Sequence, residues 1–272
     1  MTITATRTSG VRVFLLLSFG LAWAGMIGAA VLGFSTANPL VQLPFAFAPA
    51  IAALVVRWRG EGFADAGLRL LFRQAWWHYL LAWLAPFAFA AASMGVAVLL
   101  GFTLEPVPWW LYAVLLAGVP LLTPVYWGEE FGWTSYLRLR LFPDRPTTST
   151  LATGLVWAVW HYPLAFTGYV EFDNVVLGLA VWTVSFLCQE VLLSWLRLAS
   201  GTVWTASLAH AGNNMVLSLL LGAMLPGVDA LAVTVVLTVP MAIVAGWLLV
   251  TGRTGERRPA GARRAAVASR AR

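Results

Sequence analysis

Long apolar runs separated by short polar interruptions recur from residue 12 to residue 250. That pattern predicts an all-α chain, a polytopic transmembrane helix bundle. The runs cover 12–34, 41–58, 76–101, 109–128, 149–168, 174–196, 202–224 and 229–250, the fourth continuing as helix to residue 140. Eight spans are therefore expected, each able to cross a hydrocarbon core of about 30 Å at about 1.5 Å rise per residue. The polar interruptions alternate in character. Arg7 and Arg12 precede the first run, and Arg57, Arg59, Arg69 and Arg73 separate the second from the third. Arg138, Arg140 and Arg145 follow the fourth, Arg197 follows the sixth, and the remaining seven arginines lie after the eighth. The opposite loops carry Glu105, Glu171, Asp173 and Asp229. All 17 basic residues thus fall on one side, and positive-inside bias places both termini in the cytoplasm.

The first run, Val13 to Phe34, is longer than the roughly 7–15-residue core of a cleaved signal peptide and reads as a retained span. The expected organisation is a cytoplasmic N-terminal segment (1–11), a helical bundle (12–250) and a basic, disordered cytoplasmic tail (251–272). Segment 57–75 has amphipathic character suited to the membrane interface.

Composition narrows the class. Hydrophobic residues make up 60% and charged residues 10% of the 272 positions, which leaves room for one bundle and no separate soluble domain. The basic pI does not indicate a nucleic-acid partner, because the arginines sit at the ends of apolar runs; the partner they imply is the lipid bilayer. The single cysteine, Cys188, lies within a run and excludes an intrachain disulfide. Arginine without any lysine reads as the coding bias of a GC-rich bacterium, and hence a multi-pass protein of a bacterial plasma membrane.

Against this background the polar residues inside the runs stand out. Glu129 and Glu130 are adjacent in LYAVLLAGVPLLTPVYWGEEFGWTSYL. A carboxylate at the centre of a membrane helix costs roughly 2.5–3.5 kcal/mol on insertion scales, so such groups are functional candidates. Glu129 precedes Arg138 by nine residues, about 13 Å of helix; His161 is about 18 Å past Ser149, and His210 about 13 Å past Gly201. The three spans therefore bring acid and imidazole to similar depths. Asn214 shares the face of His210, and Trp157 that of His161, each four residues apart. Glu129 and Glu130 diverge by about 100°, so one faces a cavity while the other faces a supporting partner. Glu190 reads as a near-interface group pairing with an arginine.

Two chemistries suit this set. A divalent metal such as zinc, held by Glu129, His161 and His210, would keep an open position for water. Alternatively Glu129 and His161 activate water without metal, while His210 and Asn214 stabilise an oxyanion. Both lead to hydrolysis of an amide or ester. HExxH, GxGD and GxSG, the motifs of other intramembrane proteases, are absent, as are phosphate-loop and dinucleotide motifs.

The segments GEEFGWTSYL (128–137), WAVWHYPLAF (157–166) and HAGNN (210–214) resemble, in order and spacing, the EExxxR, FxxxH and HxxxN motifs of the CPBP family. This family of intramembrane peptidases includes CAAX prenyl endopeptidases and Abi-like bacteriocin-processing or immunity homologues. The resemblance runs from about 109 to 225 and implies an eight-helix metalloprotease or glutamate-protease core. It makes Glu129 the water-activating carboxylate, Glu130 its companion, His161 the second activating or ligating group, and His210 with Asn214 the ligands or oxyanion holders. Thr134 stands where the motif has Arg, Ser135 where Gly usually follows, and Trp157 where the motif has Phe. The expected function is therefore an intramembrane endopeptidase acting on a membrane-associated peptide or protein. The alternatives are a non-catalytic immunity or scaffold homologue, which Thr134 favours, and a proton-coupled transporter.

Overall fold

The computed structural model describes residues 3–255, with side chains from residue 9, and is built of helices with no strand among the described residues. The principal helices are α1 (Ile3–Val31), α2 (Pro39–Ala46), α3 (Ala48–Val56), α4 (Phe72–Leu99), α5 (Trp109–Glu130), α6 (Arg138–Arg140), α7 (Pro146–His161), α8 (Val175–Ser200), α9 (Val203–Gly212), α10 (Ser218–Met224) and α11 (Ala230–Val250). Unbroken apolar sequence drives their formation, because a segment in lipid must satisfy its backbone groups internally. Polar residues mark several starts. Asn174 Oδ1 accepts from the Leu177 amide at 3.0 Å, and Asp229 Oδ2 accepts from that of Ala232 at 3.0 Å. Thr202 Oγ1 caps α9 in the same way, and Gly201, at φ +75°, supplies the left-handed turn that ends α8 just before it.

Among the described residues, six stretches are long and apolar enough to cross a membrane: Ser9–Val31, Pro39–Glu61, Phe72–Leu99, Trp109–Glu130, Val175–Ser200 and Ala230–Val250. The other two expected runs take a different form. Residues 149–168 fall on α7, a 16-residue helix that tightens into a 3₁₀ stretch at Tyr162–Phe166, where Pro163 has no amide to donate. Residues 202–224 form α9, a π-helical turn at Asn213–Leu217, and α10. The second run is likewise divided, α2 giving way to α3 at Phe47, just before Pro49. Residues 256–272, most of the expected basic tail, lie outside the described residues, whereas Thr254 is fully buried against α6 and α7.

The helices that bear the polar candidates are linked by packing, with α8 joining α7 to α9. α5 packs along α9, α7 along α8, and α8 also contacts α9 and α11. Two glycines permit close approach. A Cβ on Gly132 would lie 2.4 Å from Pro49 Cβ and 2.9 Å from its carbonyl oxygen, so only glycine lets the end of α5 rest on α3. A Cβ on Gly212 would lie 2.4 Å from Pro86 Cγ, which brings α9 against α4.

Candidate active site

Each polar candidate lies where helix geometry changes. Glu129 and Glu130 end α5 shortly before a π-helical turn (Trp133–Leu137), His161 ends α7 before the 3₁₀ stretch, and His210 precedes the π-turn containing Asn214. Irregular turns of this kind occur frequently at functional sites.

Glu129 is 6% exposed and Glu130 not at all, so the first can meet water while the second is sealed in protein. The Trp157 indole Nε1–H donates to Glu129 Oε2 at 2.8 Å. One turn on, His161 Nδ1 is 3.0 Å from the Trp157 carbonyl oxygen. A carbonyl only accepts, so Nδ1 carries the hydrogen and Nε2 presents its lone pair. That Nε2 lies 4.0 Å from Glu129 Oε2. The gap is too long for a direct hydrogen bond, yet one water about 2.8 Å from each atom would bridge it.

On the other side, Glu130 Oε1 is 2.9 Å from His210 Nδ1. The two halves meet around Trp157, whose ring is edge-on to His161 (centroids 5.7 Å apart) and to His210 (5.1 Å). Tyr126 packs tilted on His210 at 5.0 Å, and its phenol interacts with the Asn214 side chain. All five sequence candidates therefore belong to one connected cluster of α5, α7, α9 and the π-turn after α9.

His210 chemistry depends on how many protons it shares with Glu130. With one proton on the pair, carried by Nδ1, Nε2 is a lone-pair donor to metal or acid; with a second proton on the pair, Nε2–H becomes a hydrogen-bond donor. The metal option meets a geometric test here. Among the described residues, no three His, Cys, Asp or Glu groups converge in ion-holding geometry. As arranged, the donor set does not close around an ion.

The unusual motif positions have specific surroundings. Thr134 is fully buried, and its hydroxyl donates to the Glu130 main-chain carbonyl at 2.9 Å, so it supplies no charge to the carboxyl. Glu130 Oε2 has no hydrogen-bond partner. Ser135, the next residue, is held by two arginines: Arg57 Nη2 donates to its carbonyl at 2.5 Å and Arg197 Nε to its hydroxyl at 2.7 Å. Glu190 differs from the sequence expectation of a near-interface ion pair. It is fully buried on α8, accepts from Ser194 at 2.5 Å, and keeps Oε2 without a partner, with the charge of Arg138 and that of Glu130 felt nearby.

Sequence pattern missed two features. The Trp157 N–H contact was hidden because the position reads as an aromatic wall. The buried Arg57 cluster was hidden because Arg57 looks like a topology charge, whereas its guanidinium bonds Gly62 O (2.8 Å) and Asp65 (2.6 Å) and lies over Phe131 and Tyr136. Outside the spans, burial alone would raise the Asp65 carboxyl, but the Arg57 hydrogen bond and the charges of Arg140 and Arg57 outweigh it and hold it below its ordinary value.

Taken together, the helices and the buried acid–imidazole cluster define a multi-pass membrane protein with a polar site inside its bundle. Residues 103–216, which include all five candidates, match the family model described as type II CAAX prenyl endopeptidase, Rce1-like. That stretch is thus similar to an Rce1-like domain, a family of membrane proteases. No curated protein matches the chain closely enough to count as a relative.

Proposed function

We propose that the protein is an intramembrane endopeptidase that hydrolyses a peptide bond in a membrane-associated substrate. The observation that carries this reading is the 4.0 Å gap between Glu129 Oε2 and His161 Nε2, with both groups fixed by Trp157. Water in that gap gives a proton to Glu129, assisted by the His161 lone pair, and its oxygen bonds to the scissile carbonyl carbon. The carbonyl electron pair moves to oxygen, where His210 Nε2–H and the Asn214 amide stabilise it. For Nε2 to donate, the His210–Glu130 pair must carry two protons, one on Nε2 and one between Nδ1 and Glu130 Oε1. Collapse of the intermediate breaks the C–N bond, and Glu129 returns the proton to the departing amine. The route needs no metal, and the contacts of Trp157 with Glu129 and His161 support its first step.

The substrate class follows from the family name and the site's position. The cluster lies at the arginine-bearing end of α5, which positive-inside bias assigns to the cytoplasmic leaflet. A prenylated CAAX-type tail, or in a bacterial host a lipid-embedded peptide precursor, would present its scissile bond at that depth.

The test is cleavage of a fluorogenic farnesylated CAAX peptide and of a panel of membrane-anchored peptides by purified protein in liposomes. Wild type cleaves at least one; Glu129→Ala and His161→Ala each lose about a hundredfold or more in turnover, the scale for a general base. Cleavage that survives Glu129→Ala would refute the mechanism, and wild-type inertness across the panel would refute the function.

A further inference from the structure

Trp157 does more at this site than wall it. It is 1% exposed, yet it touches both halves of the cluster: its N–H reaches Glu129, its carbonyl fixes His161, and its ring abuts His161 and His210. The choice of hydrogen-bond partner is informative. Trp23, Trp83, Trp160 and Trp204 donate their indole N–H groups to main-chain carbonyls, those of Trp160, Leu116, Ser18 and Leu68 respectively. Trp127 and Trp133 leave theirs buried with no partner among the described residues. This bundle therefore tolerates a buried indole without a partner, and satisfies others on backbone. Trp157 instead spends its only donor on a carboxylate.

We infer that Trp157 is a positioning residue for hydrolysis, its indole N–H pinning Glu129 Oε2 so that the carboxylate and His161 Nε2 hold one water between them. The inference rests on the endopeptidase reading above. The helix register makes it work. Trp157 and His161 lie four residues apart on α7, so one rigid turn places both the N–H that holds the acid and the imidazole that faces it. A carboxylate has two oxygens and a rotatable stem. Without the indole, the Glu129 side chain would lose this hydrogen bond and could turn away from His161. With Oε2 held, the acid cannot rotate without breaking a charge-assisted hydrogen bond, and the acid–imidazole separation is set before substrate arrives. A phenylalanine at 157 would preserve the wall against Phe186 and His210 but would lack the donor.

The prediction separates pinning from packing. In Trp157→Phe, turnover falls about tenfold to a hundredfold, as for loss of a hydrogen bond to a charged group, while KM stays within about twofold. A second variant replaces Trp157 by 3-benzothienylalanine, which keeps ring size and shape and exchanges only N–H for sulfur. It guards against a folding defect in the phenylalanine variant. Both are assayed in liposomes beside wild type and Glu129→Gln, after gel filtration shows the same elution as wild type. A turnover loss shared by the two variants, with unchanged KM, supports the inference. Wild-type turnover in the benzothienyl variant overturns it, as does a change confined to KM, and in both cases the requirement for Glu129 keeps the endopeptidase reading intact. If Glu129→Gln cleaves as well as wild type, the reading itself fails and the inference falls with it.

Discussion

A single methyl group at position 132 should disable the site without touching any of its polar residues. In Gly132→Ala the new Cβ would lie 2.4 Å from Pro49 Cβ and 2.9 Å from both the Pro49 carbonyl carbon and oxygen. Carbon atoms prefer separations of about 3.5–4.0 Å, so the end of α5 and the start of α3 must part by about 1 Å. Neither side yields easily, because the obstacle includes backbone and a proline ring rather than the tip of a flexible side chain. The position itself accepts alanine, since Gly132 has right-handed helical φ and ψ of −79° and −53°. The strain is therefore all in packing, and overpacking of this kind costs about 1–3 kcal/mol.

Glu129 is three residues upstream and shares that end of α5. A displacement near 1 Å lengthens the 4.0 Å approach of Glu129 to His161 or turns the carboxylate off the Trp157 N–H. Misplacement on that scale reduces rates about a hundredfold. Thermal unfolding in detergent measures the strain, and turnover in liposomes measures the displacement. Gly222→Ala is the control: a Cβ there meets nothing within 4 Å, and alanine is the better helix former. Expected is a lower melting temperature and roughly hundredfold lower turnover for Gly132→Ala, with no loss for Gly222→Ala. Wild-type stability and turnover in Gly132→Ala would refute the claimed contact between α3 and α5 and its role in placing the acid.

Three further outcomes follow from the polar network. Glu130→Ala leaves the buried His210 Nδ1 without its 2.9 Å partner and should lower stability by about 1–3 kcal/mol in denaturant titration, along with turnover. Ser135→Ala removes the hydroxyl that accepts from Arg197 at 2.7 Å; unfolding should show a loss of about 1.5–3 kcal/mol, whereas Thr134→Ala should lose less because its hydroxyl bonds only a helix carbonyl. Asp65 gives a pH signature. Its carboxyl is held below the ordinary 3.8, so its contribution is fully present above that value and is lost as pH falls through the lower, folded-state value. Melting temperature should therefore drop in acid more steeply for wild type than for Asp65→Asn, and equal slopes would rule the ion pair out as a contributor.

The helices were legible because lipid leaves a chain few options: apolar runs must be helical, and most of their edges fell close to the observed ones, although α1 begins at Ile3 rather than at residue 12. The candidate site was legible for a related reason. Acid and imidazole inside apolar sequence have few innocent explanations, and depth arithmetic on Glu129, His161 and His210 brought them to one level. What sequence concealed were contacts that depend on side-chain direction. Nothing in the spacing reveals that the Trp157 N–H points at Glu129 rather than at a backbone carbonyl, as four other indoles do. Nor does it reveal that Glu190 turns inward, because a position seven residues before Arg197 suits a surface pair equally well. The breaks at Phe47, Tyr162 and Asn213 were missed for a third reason: a hydropathy run looks continuous across a turn between two α-helices or a change from α to π or 3₁₀ geometry.

The departures from the EExxxR pattern make sense as a pair. An arginine at 134 would bring positive charge to the Glu130 side of α5 from within the same helix. Here that residue is Thr134, and charge reaches the neighbourhood from two other helices, Arg57 at the end of α3 and Arg197 on α8, both anchored on Ser135. The glycine that usually occupies position 135 would still offer its carbonyl to Arg57 but would have no hydroxyl for Arg197. Thr134 and Ser135 thus sit in one arrangement, in which the π-turn after α5 is held by arginines from outside it. Glu130 is left to His210, with one oxygen unpartnered and a second buried acid, Glu190, nearby. A second proton on the His210–Glu130 pair is needed whenever His210 is to present Nε2–H, and a neighbouring arginine would favour the pair with fewer protons and oppose it. The threonine therefore suits a site in which His210 donates to an oxyanion, and the absence of the motif arginine is consistent with catalysis by this chain.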